Sequence, residues 1–337
     1  MNILITGGAG YVGSVLAREA LRHGHGVTAI DPLWFDPATP LAHMGTPGYR
    51  FVRGDMGDER TMRPLLEHAD LVVHAAAVVG DPASKLFPDL TTYTNTEAAR
   101  RVIGWCRAAG VKRFFFLSTC SNYGVSDGLA NEETPLNPLS LYARSKVEIE
   151  RHLMDDVGDM DWVIGRLSTV YGISPRMRFD LTVNDFAMTA WRDGALEIFL
   201  PESFRPYIHV RDLARTVLAL SETFPTVRNQ VFNVGFEGEN HRKIDIARAV
   251  VEAMPATRIE ILKDGGDLRD YQVDFSKLHR AVHLERQHDV RSTIAEVRDV
   301  LEMRLLTDPR AAHHHNTSPV LHAPWDLKPA DRTMPSA

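Results

Sequence analysis

Asn2-Ile-Leu-Ile-Thr6-Gly7-Gly8-Ala9-Gly10-Tyr11-Val12-Gly13 is the stretch that decides the fold. A short apolar run enters a glycine cluster, and a helical pattern over 12–23 leaves it. Gly8, Gly10 and Gly13 satisfy G-x-G-x-x-G, while Gly7, Gly10 and Gly13 satisfy G-x-x-G-x-x-G. In a strand–turn–helix setting one glycine makes the tight turn. A second lets backbone approach a diphosphate, and a third lets helix pack on strand. Amides at the helix N-terminus then face an anion. The motif predicts a dinucleotide site.

Working outward, the next strand, 27–30, ends at Asp31, where a carboxylate can accept both ribose hydroxyl protons. No Arg or Lys lies between Asp31 and Tyr49 to receive a 2′-phosphate, so NAD is expected over NADP. After a third strand, 50–53, Asp55 either meets the adenine edge or serves as a turn residue. Further strands are expected at 71–74, 113–118 and 162–166, with helices at 12–23, 60–68, 94–109 and 141–154. This alternation predicts an α/β fold, a Rossmann-type doubly wound parallel sheet. Beyond Gly172 the rhythm breaks into a Pro/Arg-rich loop. A helix at 181–192, a βα piece at 207–220 and a strand at 231–234 follow. The expected organisation is an NAD-binding domain (1–172 plus 205–235) and a smaller discontinuous α/β substrate domain (173–204 plus 236–305). Residues 306–337 are expected to form a flexible tail, with His313, His314 and His315 read as solvated and not as a metal site.

Tyr142 and Lys146 share one helix face at i,i+4. A phenol is a poor base at neutral pH. A neighbouring ammonium and a positive nicotinamide ring both favour the phenolate, which can then take a hydroxyl proton as hydride leaves the same carbon. Thr119 ends the fifth strand, where open α/β sheets place their ligands, and its hydroxyl can polarise the same oxygen.

With 337 residues, 44% of them hydrophobic, the chain can bury a large core. A net charge of −6 argues against a general nucleic-acid binder. Two cysteines, Cys106 and Cys120, make a disulfide framework improbable. The N-terminus opens directly into a strand, and the longest apolar stretch, 71–79, is short and interrupted by His74. A cytoplasmic protein with no membrane association is expected.

Together these motifs resemble the extended short-chain dehydrogenase/reductases of the NAD-dependent nucleotide-sugar epimerase/dehydratase family, over roughly residues 1–305. Ser118-Thr119-Cys120-Ser121-Asn122-Tyr123-Gly124 is similar to that family's S-[ST]-x-x-V-Y-G segment. The resemblance implies Thr119, Tyr142 and Lys146 as the catalytic set, with Lys146 also holding the nicotinamide ribose. It places Tyr11, Val12, Met56, Ala75, Ala76, Asn95 and Ser118 against NAD, and Arg205 on the diphosphate of a nucleotide-sugar substrate. Arg269 is a weaker candidate for the same anion. Cys120 and Ser121 stand where related 4,6-dehydratases carry Asp and Glu, which disfavours dehydration. Ser121 is nonetheless expected at the substrate, together with Thr169, which replaces a sugar-contacting Asn; Cys120 is read either as a substrate contact or as a buried inert thiol. Val79 replaces a phosphate-binding Lys.

The run from Gly172 to Phe186 is similar to a branch that includes bacterial GDP-heptose 4-dehydrogenases. There Arg176 and Arg178 are read as lining the substrate cleft, and Asn184 as reaching the substrate. The expected function is C4 oxidation of a nucleotide sugar, as a 4-epimerase or alternatively a 4-dehydrogenase or ketoreductase. A non-catalytic NAD sensor is the remaining class. A homodimer built on helices 94–109 and 141–154, with Val102 and Trp105 facing the seam, is implied by the resemblance.

Overall fold

The computed structural model describes residues 1–317 apart from positions 156 and 264. Its centre is a seven-stranded sheet of β1 (Asn2–Thr6), β2 (Gly26–Asp31), β3 (Tyr49–Arg53), β4 (Leu71–His74), β5 (Arg113–Thr119), β6 (Asp161–Leu167) and β7 (Gln230–Val234), ordered β7-β6-β5-β4-β1-β2-β3. Every pairing in it is parallel. Strands covered on both faces need apolar residues at successive positions. Phe114, Phe115 and Phe116 of β5 accordingly point alternately to two cores.

On one face α1 (Tyr11–Arg22) and α6 (Val210–Glu222) cover Ile3, Ile5 and Phe115. On the other, α2 (Glu59–Leu66), α3 (Ala99–Ala108) and α4 (Leu141–Asp155) cover Leu4, Phe114 and Phe116. Strand order reverses between β1 and β4. A crevice therefore opens at their C-terminal ends, the place where such sheets take ligands.

A second lobe packs α5 (Thr182–Asp193), α7 (Lys243–Ala253) and α8 (Val290–Glu302) around Val183, Ala187, Ile246, Val250, Ile294 and Val297. Phe204–His209 pairs with Thr169–Tyr171 and Asn240–Arg242, not with the main sheet. The expected boundary at 205 thus falls inside a linking strand, because β7 already covers the free side of β6.

Three further expectations are corrected. The helix expected over 94–109 begins as a π-helical turn, Tyr93–Ala98, which carries Asn95; such turns recur at functional sites. Val102 is fully buried against the sheet and presents nothing to a seam, while Trp105 is partly buried on the same core. Residues 312–316 are packed rather than loose. Phe179 N donates to the His314 carbonyl at 3.0 Å, and the His314 ring, buried, lies 3.2 Å from the Met177 carbonyl. Positions 318–337 lie outside the described residues. Among the described residues no helix is long and apolar enough to cross a membrane.

Candidate active site

A cavity of about 800 Å³ opens at the crevice and runs between the lobes. Its floor is the glycine turn. Gly7 has φ +72°, and a Cβ there would sit 2.8 Å from the Ala76 backbone; one on Gly13 would sit 2.2 Å from the Gly7 carbonyl. Only bare backbone lets β1, the turn and α1 close this tightly, which leaves the first amides of α1 facing open space. At the far end Asp31 accepts from the amides of Leu33 (2.8 Å) and Ala9 (3.2 Å). Burial nevertheless raises its carboxyl to about 6, against those amides and Arg176.

That shift has a sign. A carboxyl raised above its ordinary value near 4 penalises the folded chain above pH 6, and the penalty fades as pH falls toward 4. Cofactor-free Asp31→Asn should therefore melt higher than wild type at pH 7.5, with the gap closing by pH 4–5, and should bind NAD more weakly. Parallel thermal melts and NAD titrations check this; a wild-type melt that shows no excess penalty at pH 7.5 contradicts it.

At the C-terminal end of β5, Thr119 Oγ1 accepts from Ser121 N at 3.1 Å, and its hydroxyl favours the ionised form of the Tyr142 phenol, which lines the same cavity. Burial pushes that phenol up to about 12, opposed by Thr119 and by the guanidiniums of Arg178 and Arg269; Asp81 adds to the rise. The cations acting on Tyr142 in this way are two arginines that i,i+4 spacing did not suggest. Lys146, one turn on, donates to the Leu117 carbonyl at 2.8 Å and lies 4.7 Å from the centre of the Phe116 ring. Burial lowers its ammonium to about 7, while Glu150 opposes the drop. Beneath it His74 is held neutral, down to about 3, by burial and by Lys146.

The Glu150 carboxylate anchors a buried network. Ser118 Oγ and Asn122 Nδ2 donate to Oε1, and Arg166 donates to Oε2 from Nη2 at 2.8 Å and from Nε at 3.2 Å. This network fixes the β5 end that carries Thr119.

On the second-lobe side, Arg205 Nη2 lies 3.1 Å from Asp267. Arg269 also grips Asp267 and donates to Ser121 Oγ at 2.7 Å. Although burial opposes it, these guanidiniums hold the Asp267 carboxyl well below the usual range. Asp180 is likewise desolvated but is pulled to about 2 by Arg178, its bidentate partner at 2.8 and 3.0 Å.

Gly7, Gly10, Tyr11, Val12, Gly13, Asp31, Asp55, Met56, Ala75, Ala76, Ser118, Thr119, Ser121, Tyr142, Lys146, Thr169, Arg178, Arg205 and Arg269 all line this one cavity. Three expected residues do not. Asn95 is used up behind the wall: Oδ1 accepts from Val78 N, and Nδ2 donates to the Val78 carbonyl and to Ser145 Oγ. Cys120 is fully buried, with Sγ 3.1 Å from the Arg166 carbonyl, and burial drives its thiol upward. Asn184 ties Gly172, Tyr11 and the Arg178 carbonyl together. Trp34, Phe35, Asp81, Lys243, Asp267 and Asn316 line the cavity without having been expected. Asp267, two positions before Arg269, carried a faint signal as a counter-ion; Asn316 carried none.

A bare-backbone turn, unblocked α1 amides and a carboxylate at the end of β2, all on one cavity, suit a dinucleotide. Residues 3–235 match the model of the NAD dependent epimerase/dehydratase family. The chain is 27% identical over 315 residues to the UDP-glucose 4-epimerase of Lactobacillus helveticus, covering 86% of this chain and 93% of that one. It is 29% identical over 315 residues to a dTDP-glucose 4,6-dehydratase of Actinoplanes sp., covering 88% and 96%. The solved Thermus thermophilus UDP-glucose 4-epimerase complex with NAD superposes with a TM-score of 0.76 at 25% identity, covering 88% of this chain and 99% of that one. With the glycine turn, Thr119, Tyr142 and Lys146 all inside the matched stretch or on the cavity it builds, this chain belongs to the NAD-dependent epimerase/dehydratase family.

Proposed function

We propose that the protein is an NAD-dependent nucleotide-sugar 4-epimerase, with the Rossmann lobe holding the dinucleotide and the second lobe the nucleotide sugar. One observation carries this reading: the Tyr142 phenol and Thr119 hydroxyl meet on the same cavity as the glycine turn. NAD, when bound, supplies a hydride acceptor that can also give the hydride back. The Tyr142 oxygen takes the proton from the sugar 4-hydroxyl, and Thr119 orients that oxygen by hydrogen bonding. Lys146 anchors the helix face through the Leu117 carbonyl and brings its donors to the cofactor ribose. Arg205 and Arg269 offer planar donor forks to the substrate diphosphate once Asp267 yields them. Once the 4-keto sugar has turned its other face and C4 has regained the hydride there, the proton returned to O4 by Tyr142 completes the epimer.

Elimination of water is disfavoured. Of the two positions where 4,6-dehydratases carry carboxylates, Cys120 is walled in and Ser121 is engaged by Arg269.

The test is incubation of the purified protein with UDP- and GDP-sugars without added cofactor, followed by NMR. Redox-neutral exchange of C4 epimers is expected. A ketone formed with stoichiometric NADH would make it a 4-dehydrogenase instead. A cytoplasmic homodimer through α3 and α4 is part of the same proposal; it would bury the Arg100–Glu148 ion pair that links their exposed faces, and light scattering of the purified chain decides it.

A further inference from the structure

The loop 172–181 crosses the cavity as a strap tied down on both sides. Toward α1, Tyr11 OH donates to the Gly172 carbonyl at 2.6 Å, and Ser174 Oγ donates to the Tyr11 carbonyl at 2.8 Å. Toward the C-terminus, Asn316 N donates to Asp180 at 2.9 Å, and Asn316 Nδ2 reaches the Val79 carbonyl at 3.1 Å. Mid-strap, Arg176 lines the cavity with its Cζ 4.0 Å from the centre of the Phe35 ring. Its side chain belongs to a residue only 3% exposed, yet Nε and Nη2 have no hydrogen-bond partner among the described residues. Arg178, two positions on, is matched by Asp180. Arg176 has no such mate.

A desolvated guanidinium without a partner is costly and calls for an anion. Burial, with help from Arg178, lowers this one to about 9, against the fields of Asp180, Asp31 and Asp36. Two of those carboxylates belong to the β2 end, where the adenosine ribose is expected, so a phosphate on the ribose edge would be repelled there. Toward α1 the surroundings change: the Tyr11 ring senses the Arg176 charge, and the unblocked amides begin. Arg176 was expected in the substrate cleft; its stacking on Phe35 moves it to the cofactor half.

We propose that Arg176 closes over the diphosphate of the bound dinucleotide, opposite the α1 amides, making the strap 172–181 a clasp on the cofactor. This rests on the reading of the site as an NAD site. Arg176 completes a cage in which backbone amides grip one side of the diphosphate and a guanidinium fork the other.

The test uses the full chain as wild type, Arg176→Gln, Arg176→Lys and Phe35→Leu. NADH release is followed by stopped-flow fluorescence, UDP affinity by calorimetry, and cofactor-free melting by circular dichroism. Arg176→Gln should release NADH about ten- to a hundredfold faster. UDP affinity should be unchanged, and the cofactor-free melt should be no lower than wild type. Arg176→Lys should recover part of the retention, and Phe35→Leu should change release less than Arg176→Gln does. The proposal is overturned if Arg176→Gln retains NADH like wild type, if it loses UDP affinity instead, or if only NADPH retention suffers. Wild type that holds no nicotinamide dinucleotide at all would remove the reading of the site as well.

Discussion

Tyr142→Phe should lower turnover on a nucleotide-sugar substrate by roughly a hundredfold to ten-thousandfold, the range lost when a positioned acid or base is removed. NADH release and UDP affinity should stay near wild type, because the ring and its packing survive and only one oxygen goes. The resting phenol, pushed up to about 12, is protonated at neutral pH. Thr119, Arg178 and Arg269 already favour its ionised form, and a positive nicotinamide ring adds to them. The phenolate fraction grows as pH rises, so kcat/KM should fall on acidification with a limb that belongs to Tyr142. In Tyr142→Phe that limb should disappear from whatever activity remains. Turnover within a few-fold of wild type would show that another group carries the proton.

Glu150→Gln should cost the protein about 3–5 kcal/mol of unfolding free energy, since it strands the Arg166 cation in a closed interior. The exposures of the Arg166 and Glu150 side chains are 4% and 1%, so water cannot take the place of the lost carboxylate. Arg166 Nη1 also reaches the Tyr123 hydroxyl and the Glu132 carbonyl, so misplacing it loosens the segment that carries Thr119. Urea unfolding of the cofactor-free protein measures the loss. Replacing both Glu150 and Arg166 with Leu should restore much of the stability, because the unpaired charge disappears with its partner. A single variant as stable as wild type would mean that the network contributes little.

The sheet was legible in the sequence because parallel strands demand uninterrupted apolar runs such as 71–73 and 114–117. The glycine turn, Asp31, Thr119 and Tyr142 were legible because the chemistry restricts both residue type and spacing. Two-stranded pieces such as Ala195–Phe199 with Arg258–Leu262 were not. They are short, and their pairing is set by the lobe around them. Asn95, Asn184 and, in its substrate-binding reading alone, Cys120 were misplaced for a related reason. Each has the right chemistry for a ligand contact, but its polar atoms are claimed by backbone groups from 17, 46 and 12 positions away. The arginines around Tyr142 come from the strap and from the stretch after Gly266, and no local pattern places them there.

The hold of Asn316 on Val79 and Asp180 has a temporal meaning. In vectorial synthesis β1 to β6 emerge first, then α5, then α6 and β7 that complete the sheet, and last α7 and α8. Among the described residues, the piece that bolts the strap shut is made after every other part of the cavity wall. A nascent molecule thus passes through a stage with a formed cofactor groove and an unlatched door.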